Sequence, residues 1–256
     1  MTTADPSRPP GEPAPPPVSD RPVVAAFDFD GTLTRGESVW KFLASAAGAT
    51  KVAAATALLA PQLASAALLG GRAADDGKEA LFVRTLRGLP AEDVARRSAA
   101  FGLDHLRRRG RPDVLARVAW HQAQGHRTVI VSASPEYYVA PVGAELGVDG
   151  VLATRLEVGP DGKLTGRYDG RNTRGAQKVA RLQEWIDSSS ADDGAREGAP
   201  DGRARPFVWA YGNSSGDRRL LAAADIGVDV GRLGPVGRLH AFRRLADVIS
   251  SSGLPS

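Results

Sequence analysis

The chain has 256 residues, of which 42% are apolar and 24% are charged, a composition typical of a globular protein with one domain and an inserted module, or with two small domains. It contains no cysteine, which excludes disulfides, thiolate metal sites and cysteine nucleophiles. The net charge of +4 includes the arginine-rich run 107–111, but no nucleic-acid motif accompanies it, so we expect a small anionic partner and no nucleic acid.

The N-terminal segment is rich in proline and poor in large apolar side chains, which predicts a disordered tail over residues 1–21. It lacks the basic start and apolar run of a secretory signal, so a cytoplasmic protein is expected. The stretch from Val52 to Leu69 is uncharged, but it is rich in alanine and is interrupted by Pro61. We therefore expect two buried or half-buried helices and no transmembrane span, while contact with a membrane surface stays open.

Strands alternate with helices along most of the remaining chain. Five strands are predicted, at 23–27, 128–131, 151–154, 207–211 and 226–230. This alternation predicts right-handed crossovers and an α/β fold with a doubly wound parallel sheet. A long helical stretch, residues 38–109, is inserted between the first and second strands, which divides the core into 22–37 and 110–250.

Two segments depart from the alternation. Residues 156–170 contain the turn sequence Gly159-Pro-Asp-Gly162, which predicts a hairpin of two short strands. An amphipathic helix is expected over 174–186. Residues 188–206, rich in Ser, Asp, Gly and Arg, have little to bury and predict a mobile loop.

Three of the strands end in polar loops, Asp28 to Thr32, Ser132 to Ser134, and Gly212 to Asp217. In an open parallel sheet, ligands bind outside the carboxyl ends of the strands, so the three loops are expected to share one crevice. Asp28 and Asp30 lie two residues apart just past a strand. One carboxylate can attack there while the other handles protons.

Two close carboxylates would repel a phosphate dianion unless a divalent cation lay between them. Asp28, Asp30 and Asn213 offer oxygen ligands, which suit Mg²⁺ rather than Zn²⁺. A lysine is then expected to neutralise the phosphoryl group in transfer. Lys178, near the start of the 174–186 helix, is the best-placed candidate.

At these residues the chain resembles the haloacid dehalogenase superfamily. Residues 28–34 (DFDGTLT) resemble its first motif, and Ser132, Lys178 and residues 212–217 follow in the order of its second, third and fourth motifs. The resemblance covers roughly residues 22–248.

The helical insertion resembles the cap of the phosphoserine-phosphatase-like branch, as do residues 89–92 (LPAE) and 161–166 (DGKLTG). The fold implied is a Rossmann-like, doubly wound parallel sheet with an α-helical cap over 38–109.

The resemblance implies a magnesium-dependent phosphatase that works through an aspartyl phosphate. Asp28 would be the nucleophile. Asp30 would protonate the leaving oxygen and then activate the water that hydrolyses the intermediate. Ser132 would donate a hydrogen bond to a phosphoryl oxygen, and Lys178 would stabilise the charge of the group in transfer.

The metal site implied by the resemblance consists of the Asp28 carboxylate, the Asp30 backbone carbonyl and Asn213. Asp217 would orient either a metal-bound water or Lys178. The fourth motif commonly supplies an aspartate where this chain has Asn213, and a neutral ligand is expected to weaken Mg²⁺ binding without abolishing it.

Two assignments stay open. Arg174 precedes Gly175 where the phosphoserine enzymes place their lysine, so it competes with Lys178 for the role in the third motif. Glu37 corresponds to the glutamate near the cap that contacts the serine amine in phosphoserine phosphatases, although an acid at a helix start explains it nearly as well.

The predicted function is hydrolysis of a small phosphorylated metabolite, with phosphoserine as one candidate and a lipid-like phosphate as another. The alternative is a regulator that binds phosphate without turning it over. Asn213 motivates that alternative, whereas the intact pair Asp28 and Asp30 counts against it. A receiver domain fits poorly, because both acids share one loop and the helical insertion has no place in that architecture. The sequence does not predict an oligomeric state.

Overall fold

The computed structural model describes residues 21–194, 205–231 and 242–251, so the predicted tail, except Arg21, lies outside them. The strands are β1 (Val23–Phe27), β2 (Arg127–Pro135), β3 (Gly150–Thr154), β4 (Leu156–Val158), β5 (Leu164–Tyr168), β6 (Phe207–Gly212), β7 (Ile226–Asp229) and β8 (Arg243–Arg244). The helices are α1 (Val39–Ala47), α2 (Ala49–Leu58), α3 (Ala60–Leu69), α4 (Gly71–Leu86), α5 (Ala91–Arg109), α6 (Pro112–Ala123), α7 (Glu136–Glu145), α8 (Ala176–Gly194), α9 (Arg218–Ala223) and α10 (Leu245–Ser251).

Six strands form one sheet in the order β3-β2-β1-β6-β7-β8, and every neighbouring pair is parallel. The predicted doubly wound parallel sheet is therefore confirmed. The chain order reverses direction at β1, which lies between β2 and β6, and such a switch point opens a crevice at the carboxyl ends of the strands. The sixth strand, β8, has only two residues and was not predicted.

The sheet separates two apolar clusters, and β1 contributes to both because successive side chains of a strand point to opposite faces. Ala25 and Phe27 pack into the cluster that contains residues of the helical insertion, α6 and α7. Val24 and Ala26 pack into the cluster formed with α8 and α9. All four side chains are buried, as a central strand with helices on both faces requires.

Five helices, α1 to α5, make up the insertion between β1 and β2. Its α5 approaches α7 so closely that a Cβ on Gly102 would clash with the Tyr138 carbonyl. The predicted hairpin is present as β4 and β5. Two backbone hydrogen bonds of 2.9 Å connect it to the insertion: the Leu164 amide donates to the Leu89 carbonyl, and the Ala91 amide donates to the Gly162 carbonyl. The boundaries proposed for core and cap stay a prediction.

Helix α8 is longer than predicted, because it continues to Gly194. The loop predicted over 188–206 is thus wrong for residues 188–194, and residues 195–204 lie outside the described part. The Ser188 and Ser189 hydroxyls both donate to the Trp185 carbonyl, at 3.0 and 2.7 Å. Both serines therefore satisfy their hydroxyl groups within the helix and do not break it.

Among the described residues, no single helix has the length and apolar character needed to cross a bilayer. Helices α2 and α3 together have the required length and apolar composition, but the pair is bent by 73°.

Candidate active site

The three polar segments predicted to share a crevice meet at the carboxyl ends of β1, β2 and β6, although residues 132–134, predicted as a loop, form the last part of β2. They surround a cavity of about 310 Å³. The predicted site residues that line it are Asp28, Asp30, Glu37, Ser132, Arg174, Lys178 and Asp217. Asn213 lies beside this lining, where it contacts the first loop.

The floor of the crevice holds three charged side chains in mutual contact. The Lys178 ammonium lies 2.5 Å from Asp28 Oδ1 and 2.5 Å from Asp217 Oδ1. Their side chains are only 1%, 8% and 1% exposed, for Lys178, Asp28 and Asp217 respectively. Lys178, which enters the crevice from α8, thus joins the loop after β1 to the loop after β6.

Burial and charge act against each other in this cluster. Burial raises the pKa of Asp28 to about 7, and the negative charge of Asp217 adds to the rise while Lys178 opposes it. Burial favours a lower pKa for Lys178, but the two carboxylates outweigh it and raise that pKa. Burial likewise favours a higher pKa for Asp217, yet Lys178 and hydrogen bonds from Ser214 hold it below its ordinary value. Asp28 and Asp217 together therefore favour the charged form of Lys178.

The loop after β6 fixes the other oxygen of Asp217. Asp217 Oδ2 accepts hydrogen bonds from the amides of Asn213 and Ser214, at 3.2 and 3.0 Å, and from the Ser214 hydroxyl at 2.7 Å. A Cβ on Gly212 would lie 2.5 Å from Asp217 Cβ. A glycine at this position lets the loop fold back over its own strand.

Only one of the two carboxylate oxygens of Asp30 accepts hydrogen bonds from the described residues. Its Oδ2 accepts hydrogen bonds from the hydroxyls of Ser38 at 2.8 Å and Ser134 at 2.6 Å. The Ser38 hydroxyl also lies 2.7 Å from the buried Tyr138 hydroxyl. Asp30 Oδ1 is buried and has no hydrogen-bond partner among the described residues. Because Asp30 lines the crevice, this oxygen can exchange a proton with a bound ligand.

Two of the predicted metal ligands, Asp28 and Asn213, lie on either side of the Thr32 hydroxyl. The Thr32 hydroxyl lies 3.1 Å from Asp28 Oδ2 and 3.1 Å from Asn213 Oδ1. One hydroxyl hydrogen can serve only one of these acceptors at a time, so the other oxygen keeps a free lone pair. Carboxylate, amide and carbonyl oxygens are ligands that suit Mg²⁺, and the donor set therefore fits this ion.

A glycine brings Asn213 against the first loop. Gly31 has a φ of +78°, which favours glycine, and a Cβ there would clash with the side-chain amide of Asn213. Among the described residues, no group of three or more His, Cys, Asp or Glu side chains could hold a metal. Besides the Asp28 carboxylate, the metal ligands would therefore have to include the Asn213 amide oxygen and the Asp30 backbone carbonyl.

The insertion adds charged groups above the floor. The Lys78 ammonium, on α4, donates a 2.7 Å hydrogen bond to the Ala133 carbonyl between Ser132 and Ser134. Burial lowers the pKa of Lys78 to about 8, although the neighbouring acids Asp30 and Glu37 oppose the shift. Burial raises the pKa of Glu37, and Asp30 adds to that rise.

Arg174 lies at the crevice edge, 3.8 Å from Asp75 of α4. Lys178 donates a hydrogen bond to Asp28, whereas Arg174 pairs with Asp75.

Sequence reasoning missed four polar side chains of the crevice or its support, namely Ser38, Lys78, Ser134 and Tyr138. Ser38 looked like a helix start, and Lys78 lies in a charged stretch of α4 that predicts a solvated face. Only Ser134 carried a usable signal, because it lies two residues after Ser132 in the polar segment that ends β2.

Comparison with known proteins agrees with this geometry. Residues 25–222 match the model of the haloacid dehalogenase-like hydrolase family. Protein CicA of Caulobacter vibrioides is 35% identical over 208 residues, which cover 81% of this chain and 86% of CicA.

Two solved structures share the fold. A Bordetella pertussis Tohama I protein is 20% identical with a TM-score of 0.68, over 88% of this chain and 98% of that one. A phosphoserine phosphatase bearing an analogue of the phospho-aspartyl intermediate is 20% identical with a TM-score of 0.54, over 82% and 87% of the two chains.

The chain belongs to the haloacid dehalogenase-like hydrolase family. The predictions of a hydrolase of this type and of a fold like that of the phosphoserine phosphatases are confirmed.

The Lys178→Met variant tests the charge cluster. It removes the ammonium and keeps a side chain of similar length, which leaves Asp28 and Asp217 buried without their shared cation. We expect the free energy of unfolding to fall by about 3–5 kcal/mol, as measured by urea denaturation followed by circular dichroism.

The matched control is Lys163→Met. This lysine is 51% exposed and lies 3.6 Å from Asp161, and such a surface pair contributes at most about 1 kcal/mol. Equal stability of the two variants would contradict the cluster as described.

Proposed function

We propose that this chain hydrolyses a small phosphomonoester through an aspartyl phosphate formed on Asp28, with Mg²⁺ as cofactor. The observation that carries the proposal is the Asp28 carboxylate on the crevice floor, held by Lys178 and close to an acid, Asp30, that has one unpartnered oxygen. Fold similarity to a phosphoserine phosphatase with a phospho-aspartyl analogue supports the same reaction.

In the first step, a carboxylate oxygen of Asp28 attacks phosphorus and the bond to the leaving oxygen breaks. Protonated Asp30 gives its proton to that oxygen, so the alcohol departs neutral. The Ser132 hydroxyl and the Lys178 ammonium bind the equatorial oxygens of the phosphoryl group. Because Lys178 is buried, its charge acts on the transition state with little screening by water.

In the second step, Asp30 takes a proton from a water molecule, and the resulting oxygen attacks the phosphorus of the phospho-Asp28. The bond to the Asp28 oxygen breaks, which releases inorganic phosphate and restores the carboxylate. The hydroxyls of Ser38 and Ser134 hold Asp30 Oδ2 in both steps, so the same oxygen, Oδ1, can donate and then accept the proton.

The proposed ligands of the ion are the Asp28 carboxylate, the Asp30 carbonyl and Asn213. When bound, Mg²⁺ supplies positive charge that offsets the repulsion between the phosphate and the acids. Asp217 keeps Lys178 in place through the contact at 2.5 Å.

The charges around the crevice favour a substrate that carries both an amine and a second acid group. Glu37 offers a negative charge, and Lys78 and Arg174 offer positive charges on the side of the insertion. Phosphoserine has both groups, so it is the first substrate we would test. The proposal for Glu37 rests on its place in the lining and on the family resemblance.

The nucleophile is tested by Asp28→Asn and Asp30→Asn. An amide at position 28 cannot form the acyl phosphate, so turnover of p-nitrophenyl phosphate should be lost. Asp30→Asn removes both the acid and the base and should cost at least about 10²–10⁴-fold in kcat. Rapid-quench trapping should recover a phosphoenzyme from the wild type and none from Asp28→Asn.

The control is Asp161→Asn, an exposed acid in the β4–β5 turn, which should keep the wild-type rate. Near-normal turnover by Asp28→Asn would rule out the mechanism. If the wild type itself hydrolysed no phosphate ester in the presence of Mg²⁺, the phosphatase proposal would give way to the alternative of a regulator that binds phosphate without turning it over.

Substitutions of Asn213 test the metal site. If its amide oxygen is a ligand, a carboxylate there adds one negative charge, worth on the order of 1–3 kcal/mol in ion binding. The Mg²⁺ concentration for half-maximal activity should therefore fall in Asn213→Asp and rise in Asn213→Ala.

Ser215→Asp serves as the control, since it adds the same charge to the same loop at an exposed position without replacing a ligand. Its effect should be clearly smaller than that of Asn213→Asp. Identical half-saturating concentrations in all four proteins would mean that Asn213 is not a ligand.

Glu37→Gln tests the substrate class. If Glu37 binds an amine, the loss of its charge should raise the KM for phosphoserine at least about tenfold, while the KM for p-nitrophenyl phosphate, which has no amine, stays within about twofold. Steady-state kinetics on both substrates provide the measurement. Equal changes for the two substrates would remove phosphoserine from consideration.

A further inference from the structure

The first part of the insertion is unusual in charge. Residues 38–74 contain Lys41, Lys51 and Arg72, and they contain no aspartate or glutamate. All three cationic side chains belong to exposed residues. The chain as a whole has 29 acidic residues, so their absence over this stretch leaves it with an excess of positive charge, although Arg72 shares a pocket with the acids Asp75, Asp76 and Glu79 of α4.

The same stretch exposes large apolar side chains. Among the described residues, five such side chains are exposed, and four of them lie here: Trp40 at 44%, Leu58 at 65%, Leu68 at 87% and Leu69 at 77%. Within α2 and α3 only Val52, Ala55 and Ala66 are buried. These two helices are apolar on most sides, so they cannot bury every apolar residue against the fold, and a surface of this kind indicates an interaction site.

We propose that the α2–α3 hairpin, residues 49–69, binds to the surface of an anionic lipid bilayer. Leu58, Leu68 and Leu69 would enter the boundary between headgroups and acyl chains. Lys41, Lys51 and Arg72 would face anionic headgroups, and no acid in the stretch would oppose them.

The geometry favours binding at the surface over crossing the bilayer. Each helix has ten residues and is therefore about 15 Å long, half the thickness of the hydrocarbon core. The 73° bend between them prevents the pair from acting as one straight span. Charge favours a bilayer over a second copy of the chain, because two copies of this positive surface would repel each other.

The helices on either side of the hairpin, α1 and α4, each contribute a residue to the crevice lining. Val39, at the start of α1, and Ala74, on α4, line the crevice. Leu69 precedes Ala74 by five residues, a distance of at most about 18 Å along the chain. Bilayer binding would therefore hold the crevice close to the headgroups. The inference stands on the surface of the hairpin and does not depend on the reaction proposed above.

Vesicle flotation with the full chain tests the apolar contribution. The wild type should float with vesicles of phosphatidylcholine containing about 30% phosphatidylglycerol, and much less with phosphatidylcholine alone. The triple variant Leu58→Ser/Leu68→Ser/Leu69→Ser should lose binding on the order of tenfold or more. The control Val158→Ser, which replaces the remaining exposed large apolar side chain (46% exposed), should bind like the wild type.

The charge contribution is tested separately, which keeps the inference testable should the triple variant misfold. Lys51→Glu should weaken binding to the anionic vesicles and should leave the weak binding to phosphatidylcholine unchanged. Arg107→Glu, an equal charge reversal at the end of α5, is the matched control and should have little effect. Circular dichroism and urea denaturation verify that each variant is folded.

Two results would overturn the inference. One is a wild type that stays in solution with anionic vesicles. The other is a vesicle affinity that neither the leucine substitutions nor Lys51→Glu changes. If sedimentation velocity instead shows a dimer that the triple variant loses, and no vesicle binding occurs, a second copy covers this surface.

Discussion

The arrangement of the crevice depends on the burial of Lys178 between Asp28 and Asp217. Buried charges are costly unless they are paired in good geometry, and this pairing requires three separate parts of the chain to meet. Asp28 comes from the loop after β1, Asp217 from the loop after β6, and Lys178 from the first turn of α8. The adjacency of β1 and β6 in the sheet brings the two loops together, and the buried cation in turn holds them at contact distance.

The insertion is coupled to the floor of the crevice through Asp30. The hydroxyl groups that hold Asp30 Oδ2 come from two different regions, since Ser38 precedes α1 and Ser134 belongs to β2. Ser38 also contacts Tyr138 of α7, the helix against which Gly102 of the insertion packs. A displacement of the start of the insertion would therefore alter the orientation of Asp30, so the position of the insertion and the orientation of this carboxyl group are physically linked.

Much of this fold could be predicted because its determinants are local. Apolar runs that end in polar loops identify buried parallel strands, and the order of strands and helices then predicts the crevice where Asp28 and Lys178 meet. Other features depend on tertiary contacts that a sequence pattern does not contain. Lys78 lies in a charged helix and could not be told from a solvated residue, and the two-residue β8 is too short to form a pattern. Helix α8 continues to Gly194 although its last residues are rich in Ser and Asp, which favour turns over helix, so the local pattern predicted a loop there.

The charged side chains on the crevice floor, taken alone, oppose the binding of an anionic substrate. With Asp30 protonated, as the proposed first step requires, ionised Asp28 and Asp217 still outnumber Lys178 and leave the floor with a formal charge of about −1, which repels a phosphate dianion. A divalent ion at the Asp28 and Asn213 oxygens would neutralise that excess. The insertion holds Lys78 at the Ala133 carbonyl, which places a further positive charge at the crevice. Under the proposed function, phosphate would meet a favourable field when the ion was bound and the insertion held Lys78 in this position.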